Sequence, residues 1–325
     1  MRKIATAVVA FAATAAMLAG CSSTNDAKDD GAGPPAKEGA FPVTVTHASG
    51  KTEIKKKPER IVVLDMAALD TVDALGEGDK VVGTVTKSVP SWLKDKYKNA
   101  TSVGSLKEPD VEQIAKLKPD LLLIGARSSS MYGELSKNFT TIDANVDWQK
   151  PNYSEQVVDQ VRQIGSALGK KDEAEKLVGA MKDKIAKYKD TAKGKGKALV
   201  LMANEGELSV HGPQSRWAPI YDVFGFEEAT TDYTPDEGHK SKKISFEAVK
   251  ELNPDYIFVV DRAKAIGKDN GATPAEKLLD NELVNSTKAA QNKHVVFLNP
   301  ERWYIVMYGA NNYQAELDEI ASAIK

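Results

Sequence analysis

Cysteine is almost absent from this 325-residue chain, which has one, Cys21. That excludes a disulfide framework and a metal site built on thiolates. Histidine is nearly as scarce: His47, His211, His239 and His294 leave too few imidazoles for a multi-histidine zinc centre. Neither sign of charge dominates. The 44 Lys and Arg face 46 Asp and Glu, a formal net charge of −2, which argues against nucleic acid as a partner. Beyond the N-terminus no apolar run approaches the ~20 residues that cross a bilayer. Enzyme signatures are missing too, with no G-x-S-x-G elbow, no phosphate-cradling glycine loop and no H-E-x-x-H pair.

The N-terminus is the first positive signal. Met1-Arg2-Lys3 is basic, residues 4–18 are nearly all apolar, and Leu18-Ala19-Gly20-Cys21 follows. About 15 apolar residues are too few to span. The pattern resembles a bacterial lipoprotein signal (1–20), cleaved before Cys21, with lipid on its thiol and new amino group. An ordinary secretory signal is the other reading. Residues 21–40 hold no large apolar side chain and read as a flexible tether. Together these segments predict a folded body outside the cytoplasm, lipid-anchored to the cell membrane.

At ~150 residues per domain, two lobes are expected. Short apolar runs at 62–64, 80–84, 121–125 and 140–143 read as strands, with helices at 67–75 and 110–117 between them. The alternation resumes with strands at 198–202, 208–211, 256–260 and 294–298 and helices at 221–224, 245–252, 274–279 and 310–324. Such alternation predicts α/β lobes. Between the halves, 154–168 and 172–189 carry apolar residues at helical spacing. We therefore divide the chain into a lobe at 41–170, a linking helix at 171–192 and a second lobe at 193–325.

An internal repeat relates the lobes. EQIAKLKPDLLLIGAR (112–127) aligns without gaps on EAVKELNPDYIFVVDR (247–262), at a constant offset of 135. Helix, turn and buried strand recur in any α/β protein, but that does not require Arg127 and Arg262 at the same strand end. Ligands of open α/β sheets bind beyond the carboxyl ends of strands, so both arginines are expected at a shared cleft. Arginine is otherwise rare: seven of the 44 basic residues, six of them beyond the signal. Arg216 lies in a loop at 211–217. A guanidinium's donor fork suits anionic oxygens. For each arginine alone an ion pair within the fold is an equal reading; as a trio they predict an anion-binding cluster. His239 lies in a polar loop, and Tyr304 follows the strand at 294–298. Together they could offer nitrogen and phenolate donors to ferric iron.

Four stretches in order, at 58–76, 103–127, 244–262 and 299–309 (the last NPERWYIVMYG), resemble the binding lipoproteins of bacterial ABC importers for iron–siderophore complexes, most closely those for catecholates. The resemblance spans 41–325. It implies two Rossmann-like α/β lobes joined by one long α-helix, the class III periplasmic-binding-protein arrangement, with little hinge motion and no catalysis. The implied ligand is an anionic ferric catecholate, with Fe(III) arriving in the chelate and no intrinsic cofactor. Arg127, Arg216 and Arg262 match the family's cleft arginines, and Trp217 and Trp303, beside Arg216 and Tyr304, are expected to line the cleft with them. Tyr304 and His239 match residues that complete iron coordination when the chelator is tetradentate, although His239 stands one residue further from its helix than the family's His-Gly. Glu112 and Glu247 suit the acidic residues that meet the cognate permease, with Glu108 as a substitute. A monomer is expected. Rival ligands are haem, for which Met131 and Met307 are the available axial groups, cobalamin and a ferric hydroxamate. A secreted α/β hydrolase and an adhesin are remoter readings.

Overall fold

The computed structural model describes residues 41–233, 242–268, 271 and 273–325. The segments read as signal and tether, Cys21 and His239 lie outside the described residues. The first element is a hairpin that the sequence did not announce, β1 (Val43–His47) paired antiparallel with β2 (Gly50–Ile54). Its turn lacks the Asn-Gly or Asp-Gly pair that flags short hairpins; Gly50, at φ +143°, takes the backbone that a side chain would disfavour.

Two further sheets follow. The first holds β3 (Ile61–Val63), β4 (Val81–Thr84), β5 (Thr101–Ser102), β6 (Leu121–Ile124) and β7 (Thr141–Asp143), all parallel, in the order β5-β4-β3-β6-β7. The second has the order β11-β9-β8-β12-β13, from β8 (Lys197–Asn204), β9 (Glu207–His211), β11 (Lys242–Lys243), β12 (Tyr256–Asp261) and β13 (Val295–Phe297); β10 (Glu227–Glu228) runs beside β8. Here β9 is antiparallel to β8 and β11, and the other pairs are parallel. β3 and β6 are buried at every residue, so both faces of the sheet need cover, which helices supply. They include α1 (Met66–Ala74), α2 (Val111–Leu117), α3 (Tyr153–Leu168), α4 (Lys171–Tyr188), α5 (Phe246–Leu252) and α6 (Ala310–Ala323). At ~1.5 Å per residue, α4 spans about 27 Å between the first sheet and β8. The expected helix at 221–224 instead occupies Ala218–Asp222, because Pro219 favours a helix start.

The repeat persists down to its caps. Asp110 and Ser245 cap α2 and α5 through side-chain oxygens, and Lys118 and Asn253 end them in left-handed conformations. The aspartate of each Pro-Asp pair then ties the neighbouring strand: Asp120 accepts from Arg60 N at 2.9 Å, and Asp255 from Lys197 N at 2.9 Å.

The last helix crosses over. α6, expected inside a lobe at 193–325, packs on α1 and α4. The reason is a cap supplied from the first half: Asp70 of α1 accepts from Asn311 N at 2.8 Å and Asn312 N at 3.0 Å, satisfying donors that a helix start leaves open. Burial pushes the Asp70 carboxyl up to about 6, against the lowering effect of those two N–H groups. The folded state therefore holds this proton more tightly than the unfolded chain, whose carboxyl titrates near ~4. The linked stability is fully present below about pH 4 and lost as pH rises through about 6, a change of about 3 kcal/mol. Asp70→Asn, which still offers one acceptor oxygen, is expected to flatten that decline; denaturant unfolding at intervals from pH 4 to 7 checks it.

Candidate functional site

The two strand-end arginines converge. β6 leads into the turn Ala126–Met131, which carries Arg127. β12 ends at Asp261, whose carboxylate caps the following turn through Lys264 N and presents Arg262. Between them lies a π-type turn, Glu301–Val306, which holds Tyr304. Its i→i+5 bond runs from Met307 N to Arg302 O at 2.7 Å. Buried Asn312 donates in addition to Arg302 O and to Met307 O, and Arg127 Nη2 donates to Tyr304 O at 2.9 Å.

Tyr304 is the meeting point. Arg262 donates through Nε to the Tyr304 hydroxyl at 2.8 Å and through Nη1 to Asn204 Oδ1 at 2.8 Å. The guanidinium carbons of Arg127, Arg216 and Arg262 stand 5.2, 5.0 and 5.6 Å from the Tyr304 ring centre, within cation–π range. Arg216 is also flanked by the rings of Trp148 and Trp217, at 5.0 and 5.5 Å.

What these arginines are bonded to separates them from surface ion pairs. Arg162 pairs with Glu175 and Asp159 on the surface. Arg127 and Arg262 donate only to neutral oxygens (a carbonyl, a hydroxyl and an amide), and neither has a carboxylate at ion-pair distance among the described residues. Burial, and next the charge of Arg216, lower the Arg127 pKa. Burial alone would raise the Tyr304 phenol; the three cations outweigh it and hold the group below its usual range.

Arg127, Arg262 and Tyr304 line a cavity of about 670 Å³ between the two halves. Lys87, Lys94 and Lys107 approach from the first half, Lys264 and Lys268 from the second, with Glu108 and Glu301 as the only carboxylates on its wall among the described residues. In a chain of net charge −2 this is a concentrated positive field. No cluster of three or more His, Cys, Asp or Glu that could hold a metal occurs among the described residues.

Several expected site residues sit elsewhere. Trp217 and Trp303 are 0% exposed and do not line the cavity: Trp217 backs Arg216 and packs edge-on against His211, and Trp303 Nε1 donates to Glu319. Arg216, 7% exposed, stands behind Tyr304 rather than on the cavity wall. Met307 is buried with its sulfur 3.7 Å from Arg216 Nη1, so it does not present itself as an axial ligand. Glu112 and Glu247 are exposed second residues of the equivalent helices α2 and α5. Sequence reasoning missed Trp148 and Asn204, which carry no spacing signal.

This arrangement is that of a class III binding protein, two α/β halves enclosing a polar cleft. Residues 61–301 match the periplasmic binding protein family, and the chain belongs to it; it is a substrate-binding protein and not an enzyme. It is similar to the petrobactin-binding protein YclQ of Bacillus subtilis, 36% identical over 290 residues that cover 87% of this chain and 88% of that protein. The ferric-anguibactin-binding protein FatB of Vibrio anguillarum is 31% identical, over 86% of each. Among solved structures, the periplasmic catecholate-siderophore binding protein VctP of Vibrio cholerae superposes with a TM-score of 0.78 at 34% identity, over 86% of this chain and 99% of that one.

If the cations hold the Tyr304 phenol down, removing one raises it. In tyrosinate difference absorbance, the transition abolished by Tyr304→Phe is expected to move to higher pH in Arg262→Gln; an unmoved transition contradicts the assigned electrostatics.

Proposed function

We propose that this chain is the extracytoplasmic receptor of an ABC iron importer, that it takes an anionic ferric catecholate siderophore into the cavity between its halves, and that it passes the complex to the permease. The observation that carries the reading is the set of guanidiniums gathered around Tyr304, two of them bonded only to neutral oxygens. Ferric iron prefers about six hard oxygen donors, and a tris-catecholate that supplies them carries a negative charge suited to arginine forks. The kinship with binders of petrobactin, ferric anguibactin and catecholate siderophores supports the same ligand class.

Tyr304 adds a second capacity. Its phenol is predisposed to ionise, so it can donate an oxygen to iron when a chelator fills only four positions. His239 is the candidate for the remaining position. Glu112 and Glu247, at the start of helices that run back to β6 and β12, lie toward the same strand ends as the arginines and are the proposed contacts for the permease. Cys21 would carry the lipid anchor and 21–40 the tether, with the body acting as a monomer.

Tryptophan fluorescence quenching by ferric bis-catecholate, tris-catecholate, hydroxamate and haem tests the reading. At ~1.5 kcal/mol or more per charge-assisted bond, combining Arg127→Ala, Arg216→Ala and Arg262→Ala is expected to weaken catecholate binding by about a thousandfold. Unchanged affinity would remove the anion cluster. Tyr304→Phe is expected to weaken the bis-catecholate more than the tris form; equal losses would deny Tyr304 a place on the iron.

A further inference from the structure

The turn that presents Arg127 is strained and pinned on both sides of that residue. Ala126 has φ +42°, a left-handed conformation rare for a residue with a side chain. Such a conformation persists only where its surroundings fix it, and here the fixing comes from the last residue of β7 and the segment just beyond it. Ala126 N donates to Asn145 Oδ1 at 3.1 Å. On the other side of Arg127, Ser129 Oγ donates to Asp143 Oδ1 at 2.5 Å, and the same carboxylate oxygen accepts from Asn145 N at 3.2 Å. Asp143 thus holds Ser129 directly and aligns the residue that holds Ala126. Its second oxygen accepts from Ser49 Oγ, at 2.6 Å, in the turn of the β1–β2 hairpin.

Asp143 is 2% exposed, and among the described residues no Lys or Arg lies within ion-pair distance of it. A carboxylate buried without a cation is costly unless hydrogen bonds satisfy it. These three donors do so, and two of them lead to the Arg127 turn. We propose that Asp143, acting through Ser129 and Asn145, is the positioning residue for Arg127, fixing its turn on both sides of that residue so that the guanidinium reaches Tyr304 and the cavity. This rests on the reading of Arg127 as a ligand-holding cation.

A double-mutant cycle on the folded body tests it, with a ferric tris-catecholate as probe. Asp143→Ala is expected to weaken binding about tenfold, the order of one charge-assisted bond, with Asp143→Asn falling between it and the parent. The same loss is expected in an Arg262→Ala background and no further loss in an Arg127→Ala background. Equal losses in both backgrounds, or no loss at all, would overturn the proposal. Should Asp143→Ala fail to fold, Ser129→Ala removes one bond without changing charge and is expected to follow the same pattern. If Arg127→Ala itself leaves affinity intact, the ligand reading fails, and positioning is judged without ligand. The Arg127 guanidinium proton signal, held on the Tyr304 carbonyl, is expected to be lost by NMR in Ser129→Ala; its persistence would overturn the proposal.

Discussion

Guanidinium groups gathered in a small, partly dry volume repel one another, and the structure here depends on what is placed between them. Tyr304 offers three different acceptors to three arginines: its carbonyl to Arg127, its hydroxyl to Arg262 and its ring face to all three. None of these is a full negative charge. The ring and the neutral oxygens keep Arg127 and Arg262 in place while leaving their charge uncompensated by any carboxylate at ion-pair distance among the described residues. A site built in this way is neutralised by its ligand, which is what a receptor for an anionic chelate requires.

The rest of the fold serves to hold that tyrosine still. Its π-type turn belongs by sequence to the second half, yet the helix that follows is capped by Asp70 from the first half, and Asn312 within that helix closes the turn. Ser91 and Glu301 add a bond across the cavity mouth, with Ser91 Oγ donating to Glu301 at 2.6 Å. Arg302 lies 4.4 Å from the ring centre of Trp92. The halves are thus joined by the last helix and the mouth contacts as well as by α4, an arrangement suited to a cleft of fixed width.

Much of this was legible in the residues. Alternating apolar runs located the strands and helices, and the constant offset of 135 located two equivalent strand ends before any geometry was known. The structure extends that repeat to caps and strand ties that were not anticipated from the residues, with Asp120 and Asp255 each accepting from a neighbouring strand. The arginine trio could be found by scarcity in a lysine-rich chain. Other features left no such trace. The hairpin lacks the Asn-Gly or Asp-Gly pair and offers only the weaker Ser49-Gly50 signal; the π-type turn looks like any helical turn in sequence; and a tryptophan beside a site residue can face either way. Trp217 and Trp303 face inward because burial of a large ring outweighs a place on the rim. The crossing of the last helix draws on Asp70 and Thr71 of the first half, whose partners are some 240 residues away.

The central claim is that a ferric catecholate takes the charge of these guanidiniums directly. A crystal structure of the body soaked with a ferric tris-catecholate tests this most directly. The account predicts catecholate oxygens within hydrogen-bond distance of Arg127 and Arg262, next to Tyr304 and between the two halves. A chelate bound elsewhere, or one in the cavity held by the lysines alone with Arg262 still donating to Asn204 and Tyr304, would contradict it.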